Sequence, residues 1–527
     1  MKLRSVIPFI LGSAVLISSC APKRSQDPQH VDSLRAQAED LIKAQSLMGW
    51  NSWAFGTESN QDSLYKANAN LFTVENIKLV QRVEQAETNA VQKKRLTYFM
   101  RYLASEYISK QNAPLSDRVS NLEATATITF EKKSLPFRQV NSLIANEKNQ
   151  KRRGGLYAAL DPVLDSLNLI HRQIEQNSQR LATELGFPSY NQMAQELKGF
   201  SLSEFKKTTE QFLAESESSY TKLLDEVTQK YLNVKRPNFF RYDFAPLFRS
   251  EKFDPYFAGG VMLDAVKETY KGLGIALDSQ RNLKIDSEQR PAKNPRAVCY
   301  AIDIPNDVRL SIKPIGGFDD YSAIFHEMGH GQHYANTKEN AFEFKYIGEP
   351  TVTENFAFLS EYMLSNQSWI RSHTKMPVKV EKDFLRFQAF HRLYFVRRYC
   401  AKFLYELQLH AGVANPESVY AALQSKAIGH TELASDKKRY LADVDALFYS
   451  ASYLRAWFLE AQLNAKLTKD FGVNWFENPK AGEYLQSLWA NGDRYNGDEF
   501  VKMIGFDAIR PDVLMNELKM MILFSTK

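Results

Sequence analysis

Residues 316–336 read GGFDDYSAIFHEMGHGQHYAN. On a helix, His326 and His330 lie one turn apart on one face, so both imidazoles can reach one metal ion. Glu327 stands beside them and can take a proton from a water in the metal's open position. Asp319 or Asp320 is placed to cap this helix. Catalytic zinc takes three protein ligands and keeps a fourth position open, so a third ligand is expected. Residues 348–363, GEPTVTENFAFLSEYM, read as a second helix starting near Thr353, with Glu354 in its first turn, 24 residues after His330. Thr351 and Glu354 also have capping-box spacing, which gives Glu354 a purely structural alternative. Glu349 and Glu361 are rival ligands. His333 is a weaker one, because i+3 rotates it off the centre of the motif.

Outward from this pair the chain keeps a helical texture. From Asp32 to about Ile108, apolar residues recur at helical spacing, as in DSLRAQAEDLIKAQSLMGW (32–50), where Leu34, Ala38, Leu41 and Ile42 share a face. Further helices are predicted over Gly155–Gly186, Ser203–Leu232, Ala258–Gly272, Glu381–Ala411 and Glu417–Ile428. Strand alternation appears at Ala124–Phe130 and in the pair Ala297–Ile304 and Val308–Lys313, joined by Pro305-Asn306. No repeat, linker or sharp composition shift follows residue 31, so residues 32–527 are expected to form a single, mainly α domain.

The 527 residues are 44% hydrophobic and 24% charged, with 34 Phe, 25 Tyr and 6 Trp. That supplies a large core, and a mean hydropathy of −0.41 excludes a multi-span membrane protein. The net charge of +6 is small for this length, and basic clusters such as Lys151-Arg152-Arg153 are short. No nucleic-acid partner is expected. At the N-terminus, Lys2 and Arg4 precede an apolar run from Val6 to Ile17, followed by Ser18-Ser19-Cys20. This pattern reads as an export signal over residues 1–19, too short to span a membrane as a mature helix. Ile17-Ser18-Ser19-Cys20 resembles the bacterial lipoprotein box, which would leave lipid on Cys20 and a tether over 20–31. Cys299 and Cys400 are then too few for a disulfide framework; they either pair or stay as buried free thiols.

The segment around HEMGH resembles the gluzincin peptidases of the superfamily containing angiotensin-converting enzyme, thimet oligopeptidase, neurolysin and oligopeptidase F. In the converting enzymes the glutamate ligand also follows the second histidine by 24 residues, which implies a ligand role for Glu354. Asp307–His326, with Arg309 and Asp320, and the preceding Val298-Cys299 resemble the corresponding family segment. LATELGFPSYNQM (181–193) and LQSLWANGDRYNGDEFVKMIGFDAI (485–509) resemble helical stretches of the oligopeptidase branch. The likeness is sharp over 296–361 and loose elsewhere. It implies a two-lobed helical shell around a deep channel, a small hairpin or sheet beside the zinc helix, one Zn²⁺ per chain, and short peptides as substrates. The implied protein is a monomeric peptidase, lipid-anchored in the bacterial envelope and facing the periplasm or exterior. A peptide-binding lipoprotein without turnover, or a zinc hydrolase of a non-peptide amide, stays open as an alternative.

Three positions depart from that pattern. The converting enzymes join the cysteine matching Cys299 to one at the position of Lys313, so that bridge cannot form here. Tyr300 stands where they have a substrate-binding histidine, and Phe358 where an aspartate orients a metal histidine. Each metal histidine still needs an acceptor behind it, for which Glu361 or Asp320 is available. The family also stabilises the oxyanion with tyrosines, and sometimes a histidine, from a late helix. In DALFYSASYLRAWFLEAQL (445–463), Tyr449 and Tyr453 share a face at i, i+4. Core packing is the alternative for both. His430 and Tyr440 are more remote candidates for the same role.

Overall fold

The computed structural model describes residues 27–58 and 60–526. The signal segment and Cys20 lie outside the described residues. Helix accounts for 72% and strand for 5%, so the fold is mainly α, with two small sheets among the described residues. The first helix runs Asp27–Phe55 and buries Val31, so residues 27–31, read from the sequence as tether, are helical. Along it, Leu34, Ala38 and Leu41 are buried at the spacing read from the sequence. None of the described helices is long and apolar enough to cross a membrane.

Several boundaries differ from the sequence reading for local reasons. The helix expected to end near Ile108 continues from Ala90 to Thr125, through Pro114. Its buried face of Leu96, Phe99, Leu103, Tyr107 and Ile108 holds the first turns in the core, and tertiary packing overrides the proline's lost hydrogen bond. The strand read from Ala124 is therefore only β1 (Thr127–Phe130), which pairs antiparallel with β2 (Lys133–Pro136). The helix read over 155–186 is two helices, Gln150–Ala158 and Asp161–Glu184, divided where Pro162 begins the second.

The second sheet lies beside the histidine helix. It contains β3 (Leu283–Asp286), β4 (Val298–Asp303) and β5 (Asp307–Ser311), in the order β3-β5-β4. β4 and β5 form the expected hairpin, with Cys299 opposite Leu310 and Tyr300 opposite Arg309. β3, which the sequence reading missed, runs parallel to β5, leaving β4 at the edge. One apolar cluster extends from Val31 to Leu518 and includes Ile324, Phe325 and Met328 of the histidine helix with Val352, Phe356 and Leu359 of the next one. A smaller cluster gathers Ile128, Val140, Leu156, Leu164 and Tyr242.

Candidate metal centre

The histidine helix runs Phe318–Ala335 and the Glu354 helix runs Thr351–Tyr362. They pack so closely that a Cβ on Gly329 would lie 2.4 Å from the Phe356 carbonyl oxygen. Only glycine fits there, and this contact sets how near the two ligand-bearing faces come. Neither Asp319 nor Asp320 caps the histidine helix, whose N-cap is Gly317. Asp320 instead accepts the Ile315 and Gly316 N–H groups at 2.9 and 2.8 Å, bracing the loop that enters the helix. Burial pushes Asp319 up to about 6, beside Arg249 and Asp254.

His326, His330 and Glu354 each present one donor atom, and these atoms all lie within 4.8 Å of one another. Glu354 Oε2 is 3.5 Å from His326 Nε2 and 3.7 Å from His330 Nε2. It is buried and accepts no hydrogen bond among the described residues. The opposite ring nitrogens are both engaged. His326 Nδ1 lies 3.0 Å from Glu361 Oε2, and His330 Nδ1 lies 2.9 Å from Thr353 Oγ1. Thr353 in turn donates to the Tyr334 hydroxyl at 3.2 Å. An orphaned carboxylate oxygen facing two imidazoles, each with its far nitrogen occupied, suits a small divalent cation.

The charges around the three ligands fit the same arrangement. Burial opposes a proton on His326, but the Glu354 and Glu361 carboxylates outweigh it and hold its pKa well above the ordinary value. Burial dominates at His330 and lowers its pKa. For Glu354, burial works against ionisation, yet the two histidines and the Tyr449 hydroxyl keep its pKa below the usual range.

The capping alternative for Glu354 is not realised. Thr351 Oγ1 donates to Glu349 Oε1 at 2.7 Å, while Glu354 Oε1 accepts the Tyr449 hydroxyl at 2.7 Å. Glu349 is outside the metal group, as is His333, which is buried against Tyr334 and Phe356 with its pKa pushed down to about 4. Glu361 supports His326 from behind, whereas Asp320 is spent on its loop. Phe358, at the position where the resemblance implies aspartate, places its ring edge-on to His326 at 5.2 Å.

Glu327 Oε2 accepts the Cys299 backbone N–H at 2.7 Å, so edge strand β4 orients this carboxylate. Nothing in the sequence flags that contact, because a backbone donor leaves no residue signature. Tyr300 packs edge-on to Trp50, and Cys299 and Cys400 are both free thiols. Tyr449 and Tyr453 project from a helix over Tyr449–Phe471. Leu447 and Phe448, at φ 50 and 53, turn the chain immediately before it, and Tyr190 holds the Leu447 N–H at 2.8 Å. Tyr449 is committed to Glu354. Tyr453 packs among Phe358, Tyr399 and Trp457, and its hydroxyl makes no hydrogen bond among the described residues. Burial and the nearby Glu354 carboxylate raise both phenols, so each hydroxyl remains a donor. His430 and Tyr440 lie apart from the group: His430 faces Asp436 at 3.4 Å, and Tyr440 accepts from Arg172 at 2.8 Å.

Neither a family model nor a curated protein matches this chain.

Proposed function

We propose that the chain is a zinc-dependent peptidase of the gluzincin type that hydrolyses short peptides outside the cytoplasm, held to a bacterial membrane by lipid on Cys20. The observation that carries this reading is the convergence of His326, His330 and Glu354 within 4.8 Å, with Glu327 oriented next to them by Cys299. Two imidazoles and one carboxylate are the donor set of catalytic zinc with a position left open. Zinc bound there would polarise the scissile carbonyl and lower the pKa of the attacking water. Glu327, with one carboxylate oxygen fixed by the Cys299 N–H, has its other oxygen for that water. It takes the water's proton as the C–O bond forms and returns it to the amine nitrogen as the C–N bond breaks. The unengaged Tyr453 hydroxyl is the donor for the carbonyl oxygen as negative charge builds on it. The outer edge of β4, beside Glu327, is a backbone surface on which an extended peptide can lie.

A peptide-library digest read by mass spectrometry tests the reading. Cleavage is expected that stops on chelation and returns with zinc. Chelator-insensitive cleavage, or none with zinc fully loaded, overturns it. Glu327→Gln is expected to retain zinc while kcat falls by about 10²–10⁴-fold. The anchor is tested separately: Cys20→Ser should abolish lipid labelling.

A further inference from the structure

The helix Thr351–Tyr362 also borders a second space. Its Leu359 and Tyr362 form part of the wall of a cavity of about 300 Å³. The helix Tyr449–Phe471 adds Glu460, and the C-terminal helix Pro511–Thr526 adds Glu517 and Phe524. Phe524 is 47% exposed and Val473, also in the wall, is 65% exposed, so the cavity meets solvent at an apolar rim.

The polar side of this cavity is organised by one guanidinium behind it. Arg392, from the helix Val378–His410, is buried and lies over the Tyr362 ring, 3.8 Å from its centroid. Its Nη1 donates to Glu517 Oε1 at 2.7 Å, and its Nη2 donates to Glu460 Oε2. Two carboxylates on one guanidinium leave one negative charge in excess. Glu460 is 1% exposed, and its Oε1 accepts no hydrogen bond among the described residues. The described lining contains no Lys, Arg or His to meet it. Asn366 and Gln367, also in the wall, donate elsewhere, to the Val473 carbonyl and to Glu381. Burial holds the Glu460 carboxyl above the usual range in spite of Arg392, and the Glu517 carboxylate adds to the rise.

A buried acceptor without a donor is unfavourable, and an excess charge beside apolar walls is more so. A cation from solvent answers both. An inorganic ion would lack ligands here, since the metal centre holds the only close group of three His, Cys, Asp or Glu donors among the described residues. The rings of Tyr362, Trp475 and Phe524 in the wall favour an organic cation instead.

We propose that this cavity binds a small primary amine carried on an apolar body, with the ammonium donating to Glu460 Oε1 beside Glu517 and the body against Leu359, Trp475 and Phe524. The site is separate from the metal centre and does not depend on the peptidase reading.

The test titrates the full-length, zinc-loaded protein by calorimetry in an amine-free buffer. Three probes of similar shape are compared: 2-phenylethylamine, 2-phenylethanol and 3-phenylpropanoate. The amine is expected to bind about tenfold or more tightly than the alcohol, and the carboxylate more weakly than either. Glu460→Gln and Glu517→Gln each remove the excess charge. Each should take away most of the amine's advantage and leave affinity for the alcohol nearly unchanged. Should Glu460→Gln lower the melting temperature by disturbing the buried Arg392 pair, Glu517→Gln carries the test, because the Glu517 side chain is 24% exposed. Phe524→Ala, at the rim, should weaken the amine and the alcohol alike. Equal binding of the three probes, no binding of the amine, an advantage that Glu517→Gln leaves intact, or binding indifferent to Phe524→Ala overturns the site.

Discussion

Glu361 holds His326 from behind: its Oε2 lies 3.0 Å from His326 Nδ1, and its Oε1 accepts the Ser322 hydroxyl at 2.6 Å. Glu361 follows Glu354 by seven residues, two turns along the same helix, so the two carboxylates share a face. One helix therefore carries both a candidate metal ligand and the group that orients another. With a proton held at Nδ1 by Glu361, Nε2 is the nitrogen left to bind a cation beside Glu354.

Glu361→Gln preserves the shape and an acceptor but removes the charge. Metal affinity should fall by about 10–100-fold, measured by competition with a chromogenic chelator. Ser322→Ala, which only trims the support of Glu361, should have a smaller effect. Unchanged affinity in Glu361→Gln would make this contact a packing feature and not a tuning one.

Tyr449 and Tyr453 are expected to separate on different readouts. Tyr453 has a free hydroxyl, so Tyr453→Phe should lower kcat by about a hundredfold with zinc content intact. Tyr449 donates to Glu354 at 2.7 Å, so Tyr449→Phe should weaken zinc binding by about tenfold through loss of one charge-assisted hydrogen bond. If Tyr449→Phe binds zinc normally and loses kcat instead, the hydroxyl leaves Glu354 during turnover and serves the oxyanion.

How much of this was legible follows from the physics of each part. His326 and His330 were readable because i, i+4 spacing on a helix is a geometric certainty once the helix forms. From the residues alone Glu354 was one of several acids, and only the resemblance singled it out, since sequence spacing cannot show that the two histidines and the Tyr449 hydroxyl converge on it. Glu361 was seen as both rival ligand and rival support; its distance along the helix decides for support. β3 escaped notice because four residues ending in Lys284-Ile285-Asp286 show too little alternation to separate from a turn, and its pairing with β5 is long-range. The helix through Pro114 was cut short because local propensity argues against proline and only the tertiary core restores it.

Gly329 tests whether the separation of the two ligand helices is fixed by packing. Gly329→Ala adds one methyl carbon against the Phe356 backbone, which cannot move aside as a side chain can. The variant should lose about 1–3 kcal/mol of stability by overpacking, seen as a lowered melting temperature. Zinc affinity should fall as well, because Glu354 sits two residues before Phe356 on the displaced helix. A variant with native stability and native zinc affinity would show that the two helices can separate without cost.

His391 gives the fold a pH dependence of definite sign. It lies on the helix Val378–His410, with its ring 5.1 Å from Phe248 and 4.6 Å from Phe395, and makes no hydrogen bond among the described residues. Burial pushes its pKa down to about 4, and the more distant Glu361 carboxylate opposes this only in part. Above about pH 6.5, the ordinary value for histidine, the ring is neutral in both folded and unfolded chains and contributes no pH dependence. Between about 6.5 and 4 the unfolded chain binds a proton that the folded chain refuses, so stability falls as the pH falls. Below about 4 both states are protonated and the loss levels off, at no more than about 3 kcal/mol in total. His391→Leu keeps an apolar group among the rings and removes this contribution, while every other titrating group stays common to both proteins and cancels. Urea unfolding of the two proteins at pH 7, 6, 5 and 4 should therefore show the difference in unfolding free energy moving steadily in favour of His391→Leu. A difference that stays constant across that range would place a water or an unseen acceptor at the ring and return His391 to an ordinary pKa.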